Sequence, residues 1–208
     1  MTGSRKLIYG KGINDMPVGW GHRGNILAKK YRSMLYRTTP NYQKKYPTYE
    51  GVDVCEEWLT MSNFITWVES KDWEGKELDK DIICPGNKIY SPETCVFVTR
   101  QLNALLCGSD ASRGKCPKGV YYCKRVHKRK YAAMIKLNGK KKWLGRFRTP
   151  EEAHRMYCKA KAEYIREVAE NLTDADTTDI ERTREGLLEH AEIEGNRWRV
   201  SEGVADSG

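Results

Sequence analysis

Asn138-Gly139 separates two runs rich in β-branched and aromatic residues, 131–137 and 141–147. Both central residues of a two-residue hairpin turn must tolerate positive φ, and Asn-Gly does so at low cost. The dipeptide therefore predicts an antiparallel strand pair. A third run of the same kind, 119–125, precedes it and extends the expectation to three strands. Thr149-Pro150-Glu151-Glu152 follows: Thr as N-cap, Pro at the first helical position, and carboxylates beside the positive end of the helix dipole. Ala153, Met156, Tyr157, Ala160 and Tyr164 then recur at three- and four-residue spacing, one apolar face to lie on the sheet. A single helix covers one sheet face and leaves the other open.

Charge says what that open face is for. Residues 111–148 hold fourteen Lys and Arg and no Asp or Glu, interleaved with Tyr121, Tyr122, Tyr131, Trp143 and Phe147. Clustered cations neutralise phosphates and release counterions, so the block predicts salt-dependent binding to duplex DNA. The chain of 208 residues is +9 in all, and its charge is segregated: +8 over 1–50, −6 over 51–110, +15 over 111–166 and −8 over 167–208. Alternating blocks of this kind are expected of separate modules.

The organisation expected is a basic, Gly-rich arm over 1–24, a module over 25–106, a linker over 107–118, the sheet-and-helix module over 119–166, and an acidic tail over 167–208. Within the first module, Ile26, Leu27, Tyr31, Met34 and Leu35 recur at helical spacing with lysines and arginines between them. That helix suits a core or a phosphate contact, and the sequence leaves both open. Residues 40–49 read as a Pro- and Tyr-rich loop. Residues 54–68 read as a strand or turn followed by a helix, with Trp58, Phe64 and Trp67 in a core because acidic neighbours would repel a nucleic acid. The tail reads as a loose helix or a disordered segment that competes with DNA for the basic face. No apolar run reaches the length of a membrane span, and no secretory leader is legible, which places the expected site of action in the cytoplasm.

Gly119-Val120-Tyr121-Tyr122, Tyr131-Ala132-Ala133-Met134-Ile135, Trp143-Leu144-Gly145-Arg146-Phe147 and Thr149-Pro150-Glu151-Glu152-Ala153 occur in the order of an AP2-type DNA-binding domain, and the segment resembles that family. The resemblance covers about a quarter of the chain. It implies a three-stranded sheet in the DNA major groove, with Tyr121, Lys124, Arg125, Lys130, Lys136, Trp143, Arg146 and Arg148 as DNA-contacting residues. Arg146 and Arg148 suit bidentate contact to guanine, and the lysines suit phosphate anchoring. Trp143 is equally compatible with packing under the helix.

The middle of the chain resembles a second family. Leu78-Asp79-Lys80-Asp81-Ile82, Gly86-Asn87-Lys88, Tyr90-Ser91-Pro92-Glu93-Thr94-Cys95 and Asn103 are similar to phage HNH-type endonucleases, which often carry an AP2-like domain. Together the resemblances imply an α+β phage protein, an HNH-like ββα finger followed by the three-stranded sheet, acting in the bacterial host cytoplasm. The family's centre implies Asp79 and Asn103 as ligands of Mg²⁺, with Lys80 where the histidine base belongs and Thr94 in place of an orienting Asn. A lysine with an ordinary pKa is a poor base at neutral pH, and flanking Asp79 and Asp81 favour its cation. Three functions follow: a homing-endonuclease-like DNA-binding protein with a degenerate nuclease centre, an active metal-dependent endonuclease using another base, or a phage protein that binds a host factor. The seven cysteines include no C-x2-C pair, which argues against structural zinc and for reduced thiols.

Overall fold

In the computed structural model, residues 7–20, 24–106, 116–125, 128–137 and 139–197 are described. The protein mixes helices with small sheets, an α+β architecture. It divides into two units: Met1–Asn103 with Thr173–Thr183, and Ala104–Leu172 with Arg184–Gly208.

The first unit is built around α1 (Ile26–Arg37), whose N-cap Asn25 accepts the Ala28 N–H. Of its predicted apolar stripe, Leu27, Tyr31, Met34 and Leu35 are buried, whereas Ile26 at the first helical position is exposed. These side chains join Trp58, Phe64, Ile65 and Phe97 in one core, so the aromatics of 54–68 are interior as their acidic setting required. α2 (Pro40–Lys45) and a 3-10 turn (Pro47–Tyr49) occupy the expected loop. Thr39-Pro40 starts α2 by the same capping logic as Thr149-Pro150, which the loop reading overlooked. β1 (Asp53–Val54) leads into α3 (Met61–Glu69). β2 (Glu77–Asp79) pairs antiparallel with β4 (Val96–Val98), while β3 (Ile89–Tyr90) pairs parallel with β1. α4 (Arg100–Leu106) follows β4.

The second unit holds β5 (Val120–Tyr122), β6 (Tyr131–Leu137) and β7 (Lys140–Phe147), an antiparallel sheet in sequence order. β6 and β7 meet across two residues; Gly139 has φ of +78°, and Asn138 lies outside the described residues. α5 (Pro150–Glu170) packs on the sheet, its N-cap Thr149 accepting the Glu152 N–H as the sequence predicted. Gly119 marks the closest approach: a Cβ there would stand 2.0 Å from the Tyr157 ring, at a φ of +78°.

The acidic segment takes the helical alternative of the expected tail, and the helix is packed. Its first residues complete α5, and 173–183 belong to the first unit, where Thr99 N–H donates to Asp176 O and Thr178 N–H to Phe97 O. α6 (Ile180–Asn196) then buries Thr183, Leu187 and Ala191, three residues at four-residue spacing set among carboxylates. Gly195 faces Ala162, and Arg184 Nε donates to Ala169 O. A regular apolar stripe stabilises a packed helix whatever the net charge of its outer face. The expected linker, 107–118, lies outside the described residues up to 115, as do 1–6 of the expected arm.

Lys161 of α5 is buried, its Nζ donating to Leu105 O at 2.5 Å. Burial, aided by Lys118 and opposed by Glu194, lowers its pKa from 10.5 to about 8. Between those values the unfolded chain binds a proton that the folded chain has released, so the lysine's contribution to stability rises with pH across that window. In denaturant melts from pH 7.5 to 10.5, Lys161→Met is expected to lose ground to wild type as pH rises. A pH-independent difference would contradict the assignment.

Candidate nucleic-acid interface

Strand register decides which side chains share the open face of the sheet. Tyr131, Ala133, Ile135 and Leu137 of β6 alternate toward α5 and pack with Val120, Leu144, Ala153 and Tyr157. The intervening Ala132, Met134 and Lys136 therefore point to the other side. Directly opposed residues lie on the same face. Tyr121 opposes Ala132, which opposes Arg146; Met134 opposes Trp143, and Lys136 opposes Lys141. The helix-free face thus carries Tyr121, Met134, Lys136, Lys141, Trp143 and Arg146.

A bulge makes this set. The register shifts between Ala133 and Met134, so that Ala133 faces Gly145 while Met134 faces Trp143 and Leu144 is the extra residue. In a regular strand, residues three apart lie on opposite faces. The inserted residue returns Trp143 and Arg146 to one face, with Gly145 at φ +131° absorbing the kink. The Arg146 guanidinium then lies 5.6 Å from the Trp143 ring centroid. Trp143 is 51% exposed, so it belongs to the open surface and does not pack under the helix. Arg146 is itself exposed, so the contact with Trp143 lies at the open surface.

The remaining basic residues frame this face. Lys124, Arg125 and Lys130 are exposed in the β5–β6 connection, which closes through Cys123 N–H to Lys130 O. Arg148 is exposed just past β7, where its backbone N–H donates to Glu152 Oε2. His127 lies outside the described residues. Met134 and Lys141 were not singled out from the sequence; the period-two alternation of 131–137 was the signal for Met134, whereas Lys141 follows from the register.

The second candidate centre is the antiparallel pair β2 and β4 with α4 directly after β4; β3 lies between the two strands in sequence and pairs with β1. Asp79 ends β2, and its Oδ1 accepts the backbone N–H groups of Asp81 and Ile82, both at 2.7 Å. Burial raises the Asp79 pKa above the usual carboxylate range, and those two N–H groups offset part of the rise. Lys80 is 4% exposed. Its Nζ donates to Asp81 Oδ1 at 2.5 Å and Asn87 O at 2.8 Å, and stands 5.9 and 5.8 Å from the Tyr49 and Tyr90 ring centroids. Asn87 completes the clamp by donating to Lys80 O and Ile89 O. Thr94 Oγ1 donates to Ile89 O, and Asn103 Nδ2 donates to Glu77 Oε2 at 2.6 Å. The contacts thus bring Asn103 to Glu77, and bind Asp79 and Lys80 into the turn that follows β2.

Among the described residues no group of three or more His, Cys, Asp or Glu side chains is placed to hold a metal ion. Cys55, Cys84, Cys95, Cys116, Cys123 and Cys158 are free thiols, and burial pushes Cys95 up to about 12 and Cys158 up to about 11. No described helix is long and apolar enough to cross a membrane. No family model, curated protein or solved structure matches the chain.

Proposed function

We propose that this protein binds duplex DNA through the helix-free face of the β5–β7 sheet, in the manner of an AP2-type domain. The observation that carries the reading is the convergence of Tyr121, Lys136, Lys141, Trp143 and Arg146 on one exposed sheet face, with Lys124, Arg125, Lys130 and Arg148 at its margins. A sheet with one face free has the shape to enter a major groove. Arg146, held against Trp143, reads base edges, and the marginal lysines anchor phosphates.

The antiparallel pairing of β2 with β4, followed by α4, supports kinship of the first unit with HNH-like fingers. Its side chains fit Mg²⁺-dependent hydrolysis poorly. The residue in the base position is a buried ammonium with an anionic partner and two aromatic rings around it, and the Asp79 carboxylate holds a backbone turn. A general base must reach the proton it abstracts, and Lys80 Nζ is buried and taken up by Asp81 Oδ1 and Asn87 O. We therefore read the centre as architectural, in a phage DNA-binding protein of homing-endonuclease-like descent.

Anisotropy titrations of a labelled duplex across a salt series test the reading. With six or so phosphates neutralised, log K is expected to fall with log salt at a slope of about −5. A flat response would remove the sheet face as a DNA surface.

A further inference from the structure

The first unit carries a second surface of different chemistry. Tyr9, Tyr36, Tyr42, Tyr46 and Tyr49 form a continuous string of rings: Tyr9 to Tyr36 at 5.4 Å, Tyr36 to Tyr42 at 5.2 Å, and Tyr42 to Tyr46 and Tyr49 at 4.6 and 5.1 Å. Tyr42 and Tyr49 are half-buried and form its base. Tyr9, Tyr36 and Tyr46 are 49%, 44% and 41% exposed, well outside the unit's core.

Cations line the string. Lys45 lies 5.3 Å from the Tyr46 ring and Lys44 is exposed beside it, while half-buried Arg37, 5.8 Å from the Tyr49 ring, donates to Tyr90 Oη, and Lys11 is ion-paired with Asp53. Residues 1–50 hold ten Lys and Arg against only Asp15 and Glu50. Tyr9 adds an independent sign. It has φ of +52°, alone among the described non-glycine residues in the left-handed region. That conformation costs an L-residue with a bulky side chain stability, and such strain concentrates where a side chain must be presented. The turn that carries it is fixed by the reciprocal Ile8 and Gly12 backbone hydrogen bonds and by the fit of Gly12 against Leu35 and Tyr31, where a Cβ would clash.

We propose that this tyrosine string is a binding site for single-stranded nucleic acid. Unpaired bases present their faces to aromatic side chains, and the flanking ammonium groups of Lys44 and Lys45 track the phosphodiester backbone. A duplex hides its base faces in the stack, so the site selects unpaired strands. The site is separate in sequence from the sheet face and does not depend on that reading.

The test is anisotropy of a labelled oligothymidine of about twenty nucleotides with the full chain. Tyr9→Ala, Tyr36→Ala and Tyr46→Ala are each expected to weaken single-strand binding by about tenfold while leaving duplex binding unchanged. Tyr36→Phe keeps the ring and should bind as wild type does. Arg146→Ala should show the converse pattern, losing duplex affinity and keeping oligothymidine affinity, so failure of one surface is distinguishable from failure of the other. Alanine variants that bind oligothymidine like wild type, or that lose both ligands equally, would overturn the proposal.

Discussion

Arg146→Ala is expected to weaken duplex binding by about 1–3 kcal/mol, about 5- to 150-fold, with little change in thermal stability. The guanidinium is exposed, and its contact to Trp143 lies outside the packed layer beneath α5. Removing it therefore takes away a base-reading group and leaves the core untouched. Trp143→Ala should act on the same quantity twice, by losing its own contact area and by freeing Arg146 to sample other rotamers. The two substitutions are in contact, so their effects should be less than additive in a double-mutant cycle. Lys136→Ala should behave otherwise, weakening all duplex sequences alike and lowering the salt slope by about one. Competition titrations with several duplex sequences separate these outcomes. If Arg146→Ala binds every sequence as wild type does, the assigned role is wrong.

Lys80→Ala is expected to destabilise the first unit by about 2–4 kcal/mol. The alkyl chain is buried beside Tyr49 and Tyr90, so truncation leaves a cavity between two large rings. The Asn87 carbonyl loses its buried donor, and an unsatisfied carbonyl costs about 1–3 kcal/mol. The pairing with Asp81 contributes less, because that carboxylate is about half exposed and screened by solvent. Lys80→Met, which restores most of the volume, should recover part of the loss. Urea unfolding followed by tryptophan fluorescence reads both variants, since Trp58 and Trp67 sit in this unit's core. A residue that served only as a catalytic base would leave the midpoint where it was, and that result would contradict the architectural role.

Much of the second unit was legible because its signals are local. A turn dipeptide, a capped helix start and a period-two apolar pattern each act within a few residues, and together they specify β5–β7 and α5. The bulge at Leu144-Gly145 was not legible, although Gly145 hinted at it. Strict alternation would have put Trp143 and Arg146 on opposite faces, and only the register across β6 places them together. In the first unit, the capped start of α2 was hidden by the assumption that Pro and Tyr make a loop. Lys80 shows a different limit. Its sequence neighbour Asp81 is its ion-pair partner, but the Tyr90 ring comes from ten residues further on and the Tyr49 ring from thirty-one residues back. The helical potential of the acidic segment was legible, but its packing through Thr183, Leu187 and Ala191 was not, because Glu181, Glu185, Glu189, Glu192 and Glu194 suggest a solvated helix.

The measurement closest to the central claim is the salt dependence of duplex binding by the full chain, compared with a variant carrying Lys136→Ala, Lys141→Ala and Arg146→Ala. Two fewer phosphate-neutralising lysines on the open sheet face should flatten the slope of log K against log salt by about 1.8, and loss of the base-reading Arg146 should lower the affinity further. A variant that keeps the wild-type slope and affinity would mean that DNA, if bound at all, is held elsewhere on the protein.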